Sequence, residues 1–109
     1  MQKKCLCLLT VLSLTLTSVR AEEAKVNFEA KCAGCHGKDG KGETKAGQKL
    51  GTLNFTDPKV QESKKDEAMF KAIKEGIKKG DTPLMKPYAD KLTDEEIKAL
   101  VKYVRNFKK

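Results

Sequence analysis

The chain has 109 residues, with 23 Lys or Arg against 15 Asp or Glu for a formal charge of +8, four cysteines, one histidine and no tryptophan. That length suits one small domain, and the cysteine count excludes a scaffold held by several disulfides. Two tyrosines, no tryptophan and no recognised binding motif argue against nucleic acid as the reason for the basic charge.

Lys3 and Lys4 precede the apolar run CLCLLTVLSLTLTSV, which leads into Arg20-Ala21. A basic start, a hydrophobic middle and small residues at the boundary predict a cleaved secretory signal over residues 1–21, and hence a periplasmic protein. The run is shorter than the ~18 residues of a membrane span; an uncleaved anchor is the alternative. Cys5 and Cys7 open the run, whereas a lipoprotein cysteine would follow it, so both are expected to leave with the leader. The mature domain, residues 22–109, then keeps 20 basic and 15 acidic side chains, a net +5, and only Cys32 and Cys35. Leu, Ile, Val and Phe make up 16 of its 88 residues, a level close to that of chains unable to fold unaided. A hydrophobic filler that the sequence does not encode is therefore expected.

Three mature segments show helical periodicity, and none of convincing length alternates like a strand. The first, Glu22 to about Ala33, begins with acids, places Ala24, Phe28 and Cys32 at spacings of four, and leads into KCAGCHG at 31–37. The stretch that follows, GKDGKGETKAGQKLGTLNFTDPKVQE, carries five glycines and opposes regular structure. A loop of ~25 residues is uncommon unless it serves a function, so Leu50, Leu53 and Phe55 are expected to pack on something. The middle helix opens with Ser63 and Asp66 as cap, carries Met69, Phe70, Ile73 and Ile77 on one side and stops at Gly80. A second link, GDTPLMKPYADKL, flanks Met85 with Pro83 and Pro87. The last helix, about Asp94 to Phe107, has a Thr93/Glu96 capping box and a stripe of Ile97, Leu100, Val101, Val104 and Phe107. Acids at its start and bases at its end complement the helix dipole.

Cys-x-x-Cys-His is the attachment signature of c-type haem. Thiols at i and i+3 share one side of a turn, which suits the two vinyl groups of a flat macrocycle, and the adjacent His36 supplies one axial bond to iron. Structural zinc wants four ligands, and the mature domain has three candidates within five residues. A thioredoxin-like dithiol would sit beside a βαβ pattern, which is missing. A plain Cys32–Cys35 disulfide would leave His36 and the thin core unexplained. Iron held by His36 needs a second axial group or an open position, and sulfur comes only from Met69 or Met85. Met69 lies in a helical stripe, where core packing accounts for it. Met85 lies in a proline-flanked loop whose reduced freedom helps to hold a sulfur against iron, and it is the expected ligand.

From Ala24 to Phe107 the chain resembles the small bacterial class I c-type cytochromes. The resemblance is carried by Phe28 ahead of CAGCHG, the glycine-rich loop, IKEGIKKG, PLMKPYADKL and LTDEEIKALVKYVRNF. It implies an all-α fold, three main helices and long loops wrapped around one covalent haem c, with Phe28 against Leu100 and Tyr103 and with His36 and Met85 as the axial pair. Three departures stand out. Ala24 replaces a common glycine, which implies a slightly wider crossing of the terminal helices. Lys86 separates Met85 from Pro87, and no nearby proline offers a carbonyl to His36.

A His/Met pair leaves no open site, so the expected function is one-electron transfer in respiratory electron transport rather than enzymic turnover. The rival is a haem enzyme or small-ligand sensor in which Met85 stays off the iron. Expected partners are a redox donor and acceptor, with Lys38, Lys41, Lys45, Lys78, Lys79 and Lys86 steering acidic surfaces or serving only as solvated charge. A monomer without a permanent membrane span is expected, with a cavity between His36 and Met85 lined by Leu50, Leu53 and Phe55.

Overall fold

In the computed structural model, residues 12–109 are described, with side chains from Arg20 onward. The first eleven residues of the expected leader, Cys5 and Cys7 among them, lie outside this range. Helix α1, Leu12–Asn27, runs without interruption through the expected processing site at Ala21. Among the described residues, no helix is long and apolar enough to cross a membrane.

The segment expected as one helix from Glu22 to Ala33 is built in three pieces. After Asn27 the backbone widens into a π-helical turn, Phe28–Cys32, in which the Ala33 N–H reaches back to the Phe28 carbonyl. Helix α2, Ala33–His36, follows and ends at Gly37, whose φ of +77° suits a residue without Cβ. A π-helical turn inserts one residue into the helical repeat. Ala24 and Phe28 still reach the interior, both almost fully buried, while Cys32 is half-buried.

The glycine-rich stretch contains two short helices in place of the expected loop. Helix α3, Lys45–Leu50, starts at Thr44, whose hydroxyl accepts the Gly47 N–H, and stops at left-handed Gly51. Helix α4, Pro58–Ser63, starts at Asp57, which caps the Lys59 N–H ahead of a proline already shaped for a first turn. Six residues are too few to display an amphipathic period, so only the caps announce these helices.

Helix α5, Asp66–Glu75, ends at Gly76 rather than at Gly80. Ser63 belongs to the end of α4, donating its hydroxyl to the Val60 carbonyl. Beyond Gly76 the chain forms an antiparallel hairpin, β1 Ile77–Lys79 with β2 Thr82–Met85, and Gly80 lies in its turn. Ile77 therefore leaves the helical stripe and is 43% exposed. Met69 and Ile73 stay in the core, as the periodicity predicts.

Helix α6, Asp94–Arg105, carries both halves of the Thr93/Glu96 capping box and ends two residues short of the expected Phe107. It packs on α1 and α5. Ile97, Leu100, Val101 and Val104 join Phe28, Met69, Ile73 and Leu92 in one core cluster. Phe28 meets Tyr103 at 5.1 Å and Phe107 at 5.2 Å between ring centroids, and shares the cluster with Leu100. Gln61, 4% exposed, fastens the flank: its amide donates to the carbonyls of Phe55 (2.7 Å) and Val104 (2.9 Å), and its oxygen accepts from Arg105.

Candidate functional site

The π-helical turn and α2 deliver the trio. Cys32 closes the turn, and Cys35 and His36 end the short helix. Both thiols are free and half-buried. Burial pushes the Cys32 thiol up to about 11, with Cys35 adding to the rise and Lys31 opposing it, so at neutral pH it carries its proton.

His36 lies near two aromatic rings. Its imidazole stacks on Phe55 at 5.2 Å with 28° between planes, and Phe28 lies at 6.3 Å. Burial lowers its pKa, favouring the neutral ring whose lone pair can bind a metal. Nδ1 is buried without a hydrogen-bond partner. A carbonyl or carboxylate usually orients a metal-bound histidine; the contacts described for this imidazole are aromatic. Two free thiols at one turn's spacing beside an imidazole with a buried, unpartnered nitrogen are chemically compatible with a covalently attached haem, which would take its thioethers from such a pair and an iron bond from such a ring.

The backbone of the trio is clamped from below. The Thr44 hydroxyl donates to the Cys35 carbonyl (2.9 Å), and the Gly42 N–H donates to that of His36 (2.8 Å). A Cβ at Gly47 would overlap the Cys35 carbonyl oxygen, so α3 approaches the motif as closely as backbone allows. Gly40 does the same with the ring of Phe107.

Met85 ends β2, half-buried, and packs against the same core cluster as Cys32. Its carbonyl presses on Gly76, where a Cβ would lie at 2.6 Å. Tyr88, three residues on, donates its hydroxyl to the Lys31 carbonyl (2.9 Å) and its N–H to the Ile73 carbonyl (3.0 Å). Burial raises its pKa, and the neighbouring Cys32 and Cys35 add to the effect. Sequence reasoning misses Tyr88, Gln61 and the Phe55–His36 stack. A tyrosine close to Met85 in the proline-flanked loop is the available hint.

Of the residues expected to line a haem cavity, Phe55 lies against His36, Leu50 is half-buried and Leu53 is 42% exposed. Two clefts, of about 180 and 290 Å³, lie elsewhere; Glu23, Asn27 and Glu96 line both. Lys38, Lys45, Lys78, Lys79 and Lys86 are exposed and Lys41 half-buried.

The family model for cytochrome c oxidase, cbb3-type, subunit III, matches residues 19–104. Among solved structures, the KustC0563 c-type cytochrome is 40% identical, with 79% of this chain and 98% of that one covered and a TM-score of 0.71. A mutant of Kustc0563 is likewise 40% identical, with 79% of this chain and 99% of that one covered and a TM-score of 0.69. No curated protein matches the chain. A c-type domain of this kind carries haem c covalently, and its family generally transfers electrons. With CxxCH seated on a mostly helical frame that shares these likenesses, the chain belongs to the c-type cytochromes, in the family of the cbb3-type oxidase subunit III domain.

Proposed function

We propose that this protein is an exported one-electron carrier: a single haem c bonded to Cys32 and Cys35, its iron held by His36 and Met85, in a mature domain of residues 22–109. It works as a monomer in the periplasm, passing electrons between a donor and an acceptor of a respiratory chain. The observation that carries this reading is one segment holding two free thiols and a neutral, half-buried imidazole, with the methionine loop hydrogen-bonded to that same segment. The sequence contains one histidine and therefore one CxxCH, which supports a single haem.

Bound haem supplies an iron that accepts and releases one electron. The chain supplies the setting. Phe55 stacks on the imidazole with Phe28 nearby, Thr44 and Gly42 fix the carbonyls of Cys35 and His36, and the hairpin brings Met85 to the edge of the core. Ligands fixed by packing move little when the iron changes charge, and thioether sulfur favours the reduced metal. The exposed lysines on the glycine-rich loop, the hairpin and the Met85 loop give a positive rim suited to steering an acidic redox partner.

The test is Met85→Ala in the haem-loaded protein. The ferric wild type is expected to show the weak far-red sulfur-to-iron absorption and, when reduced, to resist carbon monoxide. The variant is expected to lose the band, bind carbon monoxide readily and have a lower potential. An unchanged spectrum and potential would remove Met85 from the iron; ready carbon monoxide binding by wild type, without the band, would favour the open-site enzyme or sensor.

A further inference from the structure

Tyr88 is tied to two parts of the fold at once. Its N–H bonds to α5 through the Ile73 carbonyl, and its hydroxyl reaches across 57 residues to the Lys31 carbonyl. Lys31 lies in the π-helical turn, immediately before Cys32. On the other side of Met85, Gly76 is pressed against that residue's carbonyl. Among the described residues, the Tyr88 hydroxyl makes the one side-chain hydrogen bond from the Met85 loop to the cysteine-bearing segment.

We propose that Tyr88 is a positioning residue, a latch that holds the Met85 loop onto the haem-attachment segment and so sets how often Met85 leaves the iron. This rests on the His36/Met85 reading above. When the loop lifts, the hydroxyl and the Lys31 carbonyl separate, so their bond stabilises only the closed form. The backbone bond to Ile73 and the packing of the ring do not need the hydroxyl, and they preserve the fold when the oxygen is removed.

The experiment compares haem-loaded wild type, Tyr88→Phe, Tyr103→Phe and Met85→Ala, each with its covalent haem verified by mass. The readout is the rate at which the reduced protein binds carbon monoxide, which requires Met85 to leave. Loss of one hydrogen bond from the closed form alone raises that rate about three- to tenfold in Tyr88→Phe, with a weaker far-red band. Tyr103→Phe, whose hydroxyl has no hydrogen bond among the described residues, keeps the wild-type rate and separates the latch from general loosening. A wild-type rate in Tyr88→Phe beside fast binding in Met85→Ala overturns the latch and leaves the ligand assignment standing. Equal acceleration in both tyrosine variants also overturns it. Met85→Ala binding no faster than wild type brings down the ligand assignment, and the latch with it.

Discussion

His36 has two aromatic rings nearby and a buried Nδ1 with no hydrogen-bond partner among the described residues. Its angle is therefore set by shape, and Phe55 matters as much for its backbone as for its ring. The Phe55 carbonyl accepts from Gln61 and its N–H donates to the Gly40 carbonyl, so the stack is fixed at both ends of one residue. Gly40 in turn has a φ of +74° and lies under Phe107, with a Cβ position 2.7 Å from that ring. Gly40→Ala is expected to cost about 2–4 kcal/mol through left-handed strain and overpacking, measured by urea unfolding of the haem-loaded protein; a loss under about 0.5 kcal/mol would contradict the close approach. The trio proposed for haem attachment is legible because its chemistry is local: two thiols and an imidazole within five positions. The Tyr88–Lys31 bond and the Phe55–His36 stack are not, because each joins residues distant in sequence.

Among the elements, α6 is the most legible. Its cap, its stripe and its charge gradient all agree, and the structure reproduces the capping box in both directions. Elsewhere, glycine placement is harder to read. Gly76 and Gly80 are both plausible helix stops, and the hairpin between them follows from Gly76 having no room for a side chain beside Met85. Glu96 provides a check on the cap. The Thr93 backbone N–H is the first cause of its lowered pKa, followed by the Thr93 side chain. Because the folded value lies below the unfolded one, this contribution is present above about pH 4.3 and is lost as pH falls through the folded value. Glu96→Gln is expected to melt below wild type at neutral pH, with the gap narrowing as pH is lowered from about 6 toward 2. A gap that widens on acidification would reject the cap as its source.

At the scale of the whole molecule, the thin apolar inventory and the packed structure meet around α6. Eight buried residues form the core cluster, and half-buried groups, including Cys32, Phe55, Met85 and Tyr88, complete its surface. So small an interior scarcely offsets an ordering cost of about 1–2 kcal/mol per residue, and the attached macrocycle is the expected complement. Cys32→Ser with Cys35→Ser should yield a largely unfolded chain by circular dichroism; native helix content with cooperative melting would show that the polypeptide suffices alone.

The crossing of α1 and α6 joins sequence-distant parts: Asn27 and Glu96, 69 positions apart, share a hydrogen bond, and Tyr103 and Phe107 close over Phe28. Synthesis proceeds from the N-terminus, so the cysteines emerge well before the rings that later roof this corner. Until that tail docks, the turn that leads into Cys32 lacks its roof.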